Sequence, residues 1–344
     1  MTHRALVIGA GNAGKAHAEA LANLGIAYAG PVSGIATAAD PAAIDDPSID
    51  VVHVATTNDL HAPLVREALR AGKHVVCEKP LAAYIGEAEM LVRLAEESQV
   101  RSTICQNYRF MPLLVDLRSR VLGGELGNVH LARGSFLQDW LLLVGDDDWR
   151  MDPQRGGGSR TVADIGVHWL DLVECLTGRT AEAVAAQVGY LHGRQTEDHA
   201  SLLIRFSGGL QGACVLSQAS AGHRNEVEVS LDGTRSSAMW RSTSRDELWL
   251  GSRDAAPKLI PRAGAHAPEA RALARRAPMP DEGRRNLLAA FYAEIDGTPS
   301  AVPLPTFADG LRHVRFAAAA IASSKSGEWV DLAKLQTTFT SVPR

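Results

Sequence analysis

The chain has few cysteines for its 344 residues, and the four present, Cys77, Cys105, Cys175 and Cys214, form no C-x-x-C pair. That argues against a disulfide framework or a thiolate zinc centre and points to reduced, mostly buried thiols in the cytoplasm. No run of 18 apolar residues occurs, so no membrane span is expected. The opening Met1-Thr2-His3-Arg4 leads into a short apolar run without a cleavage site, unlike a signal peptide. Basic residues show no excess: 35 Lys+Arg stand against 39 Asp+Glu, a formal charge of -4. That disfavours a nucleic-acid partner. Internal repeats are absent as well. With 46% hydrophobic and 22% charged residues the composition suits a globular protein, and the length suits about two domains.

Short apolar runs alternate with helical patterns in the first part of the chain. Ala5 to Ile8, Asp50 to Ala55, Lys73 to Cys77 and Arg101 to Cys105 read as strands. Lys15 to Leu24, Pro63 to Ala71 and Ile85 to Ser98 read as helices, with Pro63 suited to a first turn. This alternation indicates a doubly wound parallel α/β sheet. After about residue 125 the pattern changes. Val129 to Phe136, Ala183 to Leu191, His199 to Phe206, Gly212 to Ser217, Asn225 to Leu231 and Ser236 to Trp240 are closely spaced strands joined by turn signals. They predict a second domain with a largely antiparallel sheet, and the division falls at 1–122 and 123–344. Residues 254–285 read as a surface loop with some helix. Asn286 to Gly297 and Phe307 to Ser324 read as helices, and the C-terminal one is a candidate to pack back on the first domain.

Gly9-Ala10-Gly11-Asn12-Ala13-Gly14 fits G-x-G-x-x-G between a strand and a helix. Gly9 permits a tight turn, Gly11 a close approach of pyrophosphate, and Gly14 close helix–strand packing. A ribose-binding acid is expected near the end of the second strand. If Ile26 to Ser33 is that strand, no acid ends it. If Ile35 to Ala39 is, Asp40 stands at its tip, although Asp40-Pro41 also reads as a helix cap. Either way residues 26–50 are too short for a full crossover, so a helix and possibly a strand are missing or shortened. No Lys or Arg occurs between Lys15 and Arg66, which favours NAD over NADP.

Two further stretches carry chemistry. Glu78-Lys79-Pro80 follows a parallel strand, where ligands bind in such sheets. A lysine there can hold a substrate hydroxyl or be an exposed turn residue, and position alone leaves both open. After Gly156-Gly157-Gly158 comes Asp164-Ile165-Gly166-Val167-His168-Trp169-Leu170-Asp171. On a helix Asp164 and His168 share a face, and Asp171 follows one turn later. An imidazole there can take an alcohol proton while hydride leaves the same carbon, with a neighbouring carboxylate orienting it. Three ligands at metal spacing are not evident. Gln138, Asp139, His192 and His223 are further polar groups available to a substrate pocket.

These motifs resemble, in order, the glucose–fructose oxidoreductase / inositol dehydrogenase / rhizopine catabolism (Gfo/Idh/MocA) family. The glycine loop, Thr56-Thr57-Asn58 with His61, Ala71 to Val75, Glu78-Lys79-Pro80, Trp149-Arg150, the triple glycine and Asp164-x-Gly166-x-His168 carry the resemblance, which runs to Gly327-Glu328-Trp329-Val330. It implies an N-terminal Rossmann domain, from whose pattern the shortened second βα unit at 26–50 departs, followed by an α/β domain with an open, mainly antiparallel sheet. It also implies a nicotinamide cofactor and a sugar, cyclitol or sugar-derivative substrate, exchanging hydride at a secondary alcohol or ketone. Lys79, Asp164 and His168 match the catalytic set. Gly9, Gly11, Asn12, Ala13, Gly14, Asp40, Thr56, Asn58, His61, Glu78, Lys79 and Arg109 match or adjoin cofactor positions. Trp149 and Arg150 join Lys79, Asp164 and His168 near the substrate, unless they pack the domains together. The family also contains redox-assisted lyases or epimerases and non-catalytic dinucleotide-binding regulators. Its open sheet implies a homodimer or homotetramer.

Overall fold

The computed structural model describes residues 3–335. Met1 and Thr2, read above as the start of a leaderless chain, and the last nine positions of the second domain lie outside it.

The first sheet is parallel throughout, in the order β2-β1-β3-β4-β5. Its chain order is β1 (Arg4–Ile8), α1 (Asn12–Asn23), β2 (Ala27–Val32), α2 (Gly34–Ala39), α3 (Ala42–Asp45), β3 (Val51–Val54), α4 (Asn58–Arg70), β4 (His74–Cys77), α5 (Ile85–Glu97) and β5 (Ser102–Ile104). Ala5, Val7, Ile8, Val51, Val52, Val75 and Val76 are fully buried, as central strands covered on both faces require. Against the common dinucleotide-binding order 3-2-1-4-5-6, the outermost strand is absent. Residues 26–50 hold β2 and two short helices, with no further strand.

Three sequence expectations need correction. Ile35 to Ala39 is helix α2, not strand, because Ser33 Oγ caps it at the Ala36 amide. Helix α4 starts at Asn58, five residues before Pro63, so the proline lies in its second turn and removes one backbone bond near the helix start. The segment 254–285 holds the expected helix, Pro268–Ala274 and the start of Glu282–Ile295, but also an unexpected strand, β13 (Lys258–Pro261). Strand β13 is a mostly exposed edge, so its sequence lacks the alternation that marks a half-buried strand.

The chain continues with α6 (Pro112–Leu122), β6 (Val129–Leu137), α7 (Pro153–Gly156) and α8 (Val167–Thr177). It continues through β7 (Ala181–Gly189), β8 (His199–Phe206), β9 (Gln211–Ser217), β10 (Glu226–Gly233), β11 (Ser236–Arg241), β12 (Glu247–Ser252) and β13 (Lys258–Pro261). Helices α9 (Pro268–Ala274), α10 (Glu282–Ile295) and α11 (Phe307–Ser326) precede β14 (Val330–Asp331). The nine-stranded sheet runs β13-β12-β11-β10-β6-β9-β8-β7-β14 and is antiparallel except for β6–β9. Strand β8 alternates strictly between exposed and buried residues, the mark of a sheet wet on one face. The buried face packs Phe136, Trp169, Phe206 and Trp240. Helix α11 contacts both α5 and β7. Phe307 and Val314 enter the core of the first sheet, and Phe316, Ala319 and Ala320 enter the other.

Candidate active site

The glycine loop is shaped by close backbone approach. Gly9 sits at φ +122°, and a Cβ on it would lie 2.0 Å from the Ala55 carbonyl oxygen. A Cβ on Gly14 would lie 1.7 Å from the Gly9 carbonyl oxygen. A Cβ on Gly11, which begins α1, would meet nothing within 4 Å. The loop is therefore forced tight at its ends and open in the middle, as a pyrophosphate cradle must be. A groove of about 460 Å³ runs from Gly9, Gly11, Asn12 and Ala13 past Ser33 and Thr56 to Trp149 and Arg150. Ser33, not Asp40, directly follows β2. Asp40 lies beyond α2, where its Oδ1 accepts from the Ala42 amide at 3.2 Å, and it does not line the groove.

A larger cleft of about 910 Å³ adjoins this groove, and Asn12 and Arg150 line both. Lys79, just after β4, reaches across to the turn that leads into α8. Its Nζ donates to Asp164 Oδ1 at 2.6 Å and to the Asp164 carbonyl at 2.9 Å. Residues 162–166 form a π-helical turn, a local widening that recurs at functional sites. Asp164 is fully engaged. Arg150 Nε also donates to Oδ1 at 3.3 Å, and Gln218 Nε2 donates to Oδ2 at 2.8 Å. Burial opposes its ionisation, but Lys79 and Arg150 outweigh that and hold the carboxyl far below its usual range.

His168 lines the same cleft at 9% exposure. Its Nδ1 lies 2.7 Å from Gln106 Oε1, and its ring packs edge-on against Tyr108. Burial first, then Lys79, push its pKa down to about 3, against the pull of Asp164 and Glu78. It is therefore a neutral imidazole at neutral pH, able to accept a proton.

Glu78 faces the cleft beside Lys79. It is paired with Arg284 from the start of α10 and lies 3.1 Å from His17 Nε2. Burial would raise the Glu78 pKa, but Arg284, His17 and Lys79 keep it well below the carboxylate range. Arg284 also bonds Asp281 at 2.6 Å and Cys105 Sγ at 3.2 Å. Behind it, His17 Nδ1 meets His53 Nδ1 at 2.9 Å, and His53 Nε2 meets the Tyr292 hydroxyl at 2.9 Å. Among the described residues, His17, Glu78 and Cys105 are the one trio close enough to share a metal ion. Arg284 already places a guanidinium against all three, and that cation supplies the charge a metal would. Replacing Arg284 by methionine is expected to cost about 3–5 kcal/mol, because it strands a buried carboxylate. A thermal melt checks this, and an unchanged midpoint would refute it.

Several candidates lie elsewhere. Arg109 is 6% exposed and turned away from the cleft, because it forks onto Asp171 at 2.8 and 2.5 Å and reaches Asp309 at 3.2 Å. Asp171 is thereby committed to Arg109 and makes no direct bond to His168. His61 is buried between the carbonyl oxygens of Pro80 and Thr56, at 2.7 and 3.3 Å, where it pins the loop after Lys79. Asn58 Nδ2 donates to the Gly156 carbonyl at 2.8 Å, tying α4 to the triple-glycine loop. Trp149 lines the groove and stacks under the Arg150 guanidinium at 4.3 Å. Of Gln138, Asp139, His192 and His223, only Gln138 lines the cleft. Sequence reasoning missed Gln106, Gln218, Asp281, Arg284 and His313. Pro280-Asp281 was an available signal, since an aspartate N-cap announces α10.

Two family models match the chain. The oxidoreductase-family NAD-binding Rossmann fold matches residues 3–105. The GFO/IDH/MocA C-terminal domain matches residues 114–239. Levoglucosan dehydrogenase of Pseudarthrobacter phenanthrenivorans is 28% identical over 229 residues, 60% of this chain and 58% of that one. Trans-1,2-dihydrobenzene-1,2-diol dehydrogenase of Mus musculus is 30% identical over 175 residues, 51% of each. The chain thus spans about half the length of the curated relatives it matches. Among solved structures, levoglucosan dehydrogenase in complex with NADH shares the fold at a TM-score of 0.87 and 26% identity, covering 96% of this chain and 99% of that one. Both halves, the NAD-binding sheet and the open antiparallel sheet, therefore assign the chain to the Gfo/Idh/MocA family of oxidoreductases.

Proposed function

We propose that the protein is an NAD(P)-dependent dehydrogenase or reductase that interconverts a secondary alcohol and ketone on a sugar, cyclitol or sugar derivative. One observation carries this reading. The glycine-loop groove and the cleft holding Lys79 and His168 meet at Asn12 and Arg150, so a dinucleotide in the groove ends beside a lysine and a free imidazole nitrogen. The open middle of the glycine loop fits a pyrophosphate, with Gly9, Gly11, Asn12, Ala13 and Thr56 holding the dinucleotide. When bound, a nicotinamide supplies the hydride acceptor or donor. Lys79 donates to the substrate hydroxyl and stabilises the charge that grows on its oxygen. Asp164, bound on both oxygens, acts through Lys79 by fixing where its Nζ points. His168 takes the hydroxyl proton in oxidation and returns it in reduction.

The polar and apolar walls of the cleft, with Gln138, Trp140 and Tyr108, suit a polyol with one apolar face. Levoglucosan dehydrogenase in complex with NADH and levoglucosan shares the fold at a TM-score of 0.86 and supports this substrate class. The chain divides near residue 122. No described helix is long and apolar enough to cross a membrane, and the four free thiols suit a cytoplasmic protein. The wet face of the large sheet exposes Leu203 at 55% and Val215 at 50%, which supports a homo-oligomer paired through it.

Fluorescence titration with NADH and NADPH, followed by a sugar and cyclitol screen read as nicotinamide absorbance, tests the reading. NADH is expected to bind more tightly, because β2 and its connection carry no basic residue. Binding of neither dinucleotide would refute the proposal. Binding without absorbance change for any polyol would favour a regulator or a redox-neutral lyase instead.

A further inference from the structure

Four buried side chains behind His168 form a directed line. Arg109 forks onto Asp171, so both oxygens of that carboxylate are held in place. Asp171 Oδ1 lies 3.4 Å from His313 Nε2, on α11. His313 Nδ1 lies 3.1 Å from Gln106 Nε2, just after β5. Gln106 Oε1 lies 2.7 Å from His168 Nδ1, on α8. Gln106 and Asp171 are each 1% exposed and His313 is 0% exposed, so water does not compete for these groups.

We propose that Asp171, acting through His313 and Gln106, sets the tautomer of His168 so that Nδ1 carries the proton and Nε2 is left bare to accept one. This rests on the reading of His168 as the proton acceptor. Two arrangements satisfy the central hydrogen bonds. In the first, His168 Nδ1–H donates to Gln106 Oε1, Gln106 Nε2–H donates to His313 Nδ1, and the protonated Nε2 of His313 sits 3.4 Å from the Asp171 carboxylate, close enough to feel its charge without closing a hydrogen bond. In the second, the glutamine amide is reversed. His168 then carries its proton on Nε2, and the bare Nε2 of His313 faces the Asp171 carboxylate. A lone pair opposed to an anion in a dry site is unfavourable, so the first arrangement is selected.

His313 does not escape by taking a second proton. Asp171 and Asp309 favour the charged ring, but burial, Arg109 and Arg312 oppose it and hold its pKa down to about 4. The groups facing His168 are Lys79, Asp164, Glu78 and His313. His168 Nε2 has no hydrogen-bond partner among the described residues, and the ring lines the cleft. An amide does not pass a proton along, so Gln106, His313 and Asp171 are positioning residues that choose an atom rather than conduct charge.

The test is nitrogen NMR of the intact protein labelled with 15N-histidine, at pH 7 without substrate. The His168 signals are assigned by their loss in His168→Gln. A protonated Nδ1 and bare Nε2 are expected, and the reverse overturns the proposal. In His313→Leu the selection is gone, so both tautomers should appear. The kcat should then fall on the order of tenfold with KM little changed, since a mis-set tautomer disables a catalytic histidine. An unchanged tautomer in that variant also overturns the proposal. Gln106→Glu offers a carboxylate to both rings. It should keep His168 protonated on Nδ1 and bring an acid limb into the kcat profile at a pH where the wild-type profile is flat. A profile as flat as that of the wild type argues against control through Gln106. The tautomer is read without turnover, so a correct tautomer with an undisturbed His168→Ala enzyme would refute the function and spare the relay.

Discussion

Replacing His168 by alanine is expected to lower kcat by roughly two to four decades, the usual contribution of a positioned acid–base group. Affinity for NADH should stay near that of the parent, because the imidazole lines the larger cleft and not the glycine-loop groove. The effect is large because nothing nearby can substitute. Lys79 is a donor already engaged with Asp164, and Asp164 is held ionised with both carboxylate oxygens hydrogen-bonded, which makes it a poor base. Glu78 is paired with Arg284 and His17. The wild-type oxidation rate should stay flat on its acid side until the protein itself fails, because burial and Lys79 hold His168 at a pKa of about 3. Steady-state kinetics of His168→Ala, with His168→Asn as a less cavity-forming companion, settles the matter. Turnover within threefold of wild type would remove His168 from the mechanism.

The second large effect is on stability in mild acid. Burial holds His17, His53, His61, His168 and His313 below the ordinary value of 6.5 in the folded state. Between the folded and unfolded values the unfolded chain binds more protons, so stability falls as pH drops below about 6.5. Each such histidine contributes up to about 1.4 kcal/mol per pH unit across that window. Glu78 and Asp164 are also depressed, and they add a further loss below about pH 4 as their ion pairs are protonated away. Melting curves at pH 7, 6 and 5 should show the midpoint falling by on the order of 10 °C or more. A midpoint constant from pH 7 to 5 would mean that these histidines titrate normally.

Much of this architecture is legible locally. Gly9, Gly11 and Gly14 declare a dinucleotide turn because each answers a steric demand within one strand–turn–helix unit. The shortness of 26–50 announces a truncated crossover, because a crossover has a minimum length, and the strand proves to be the part that is absent. Lys79, Asp164 and His168 are singled out by the order of their motifs, since position alone leaves the lysine open, and the fold brings all three to one cleft. What escapes is what depends on distant partners. Gln106 is neighbour to the more conspicuous Arg109, yet its role comes from His168 and His313, 62 and 207 positions away. Arg284 reaches Glu78 across 206 positions. Arg109 misled because a cation near a cofactor strand attracts a binding role, and nothing local reveals that Asp171 and Asp309 consume it. Asp40 misled because an acid after a short apolar run looks the same at a strand tip and at a helix cap.

Helix α11 has a consequence for how the two halves behave together. A single rigid rod inserts its first turns into one core and its later turns into the other, and its middle carries His313 against Asp171. Neither half retains a complete interior once that rod is withdrawn. The two halves are therefore one cooperative unit, and a lesion in either propagates to the seam between them.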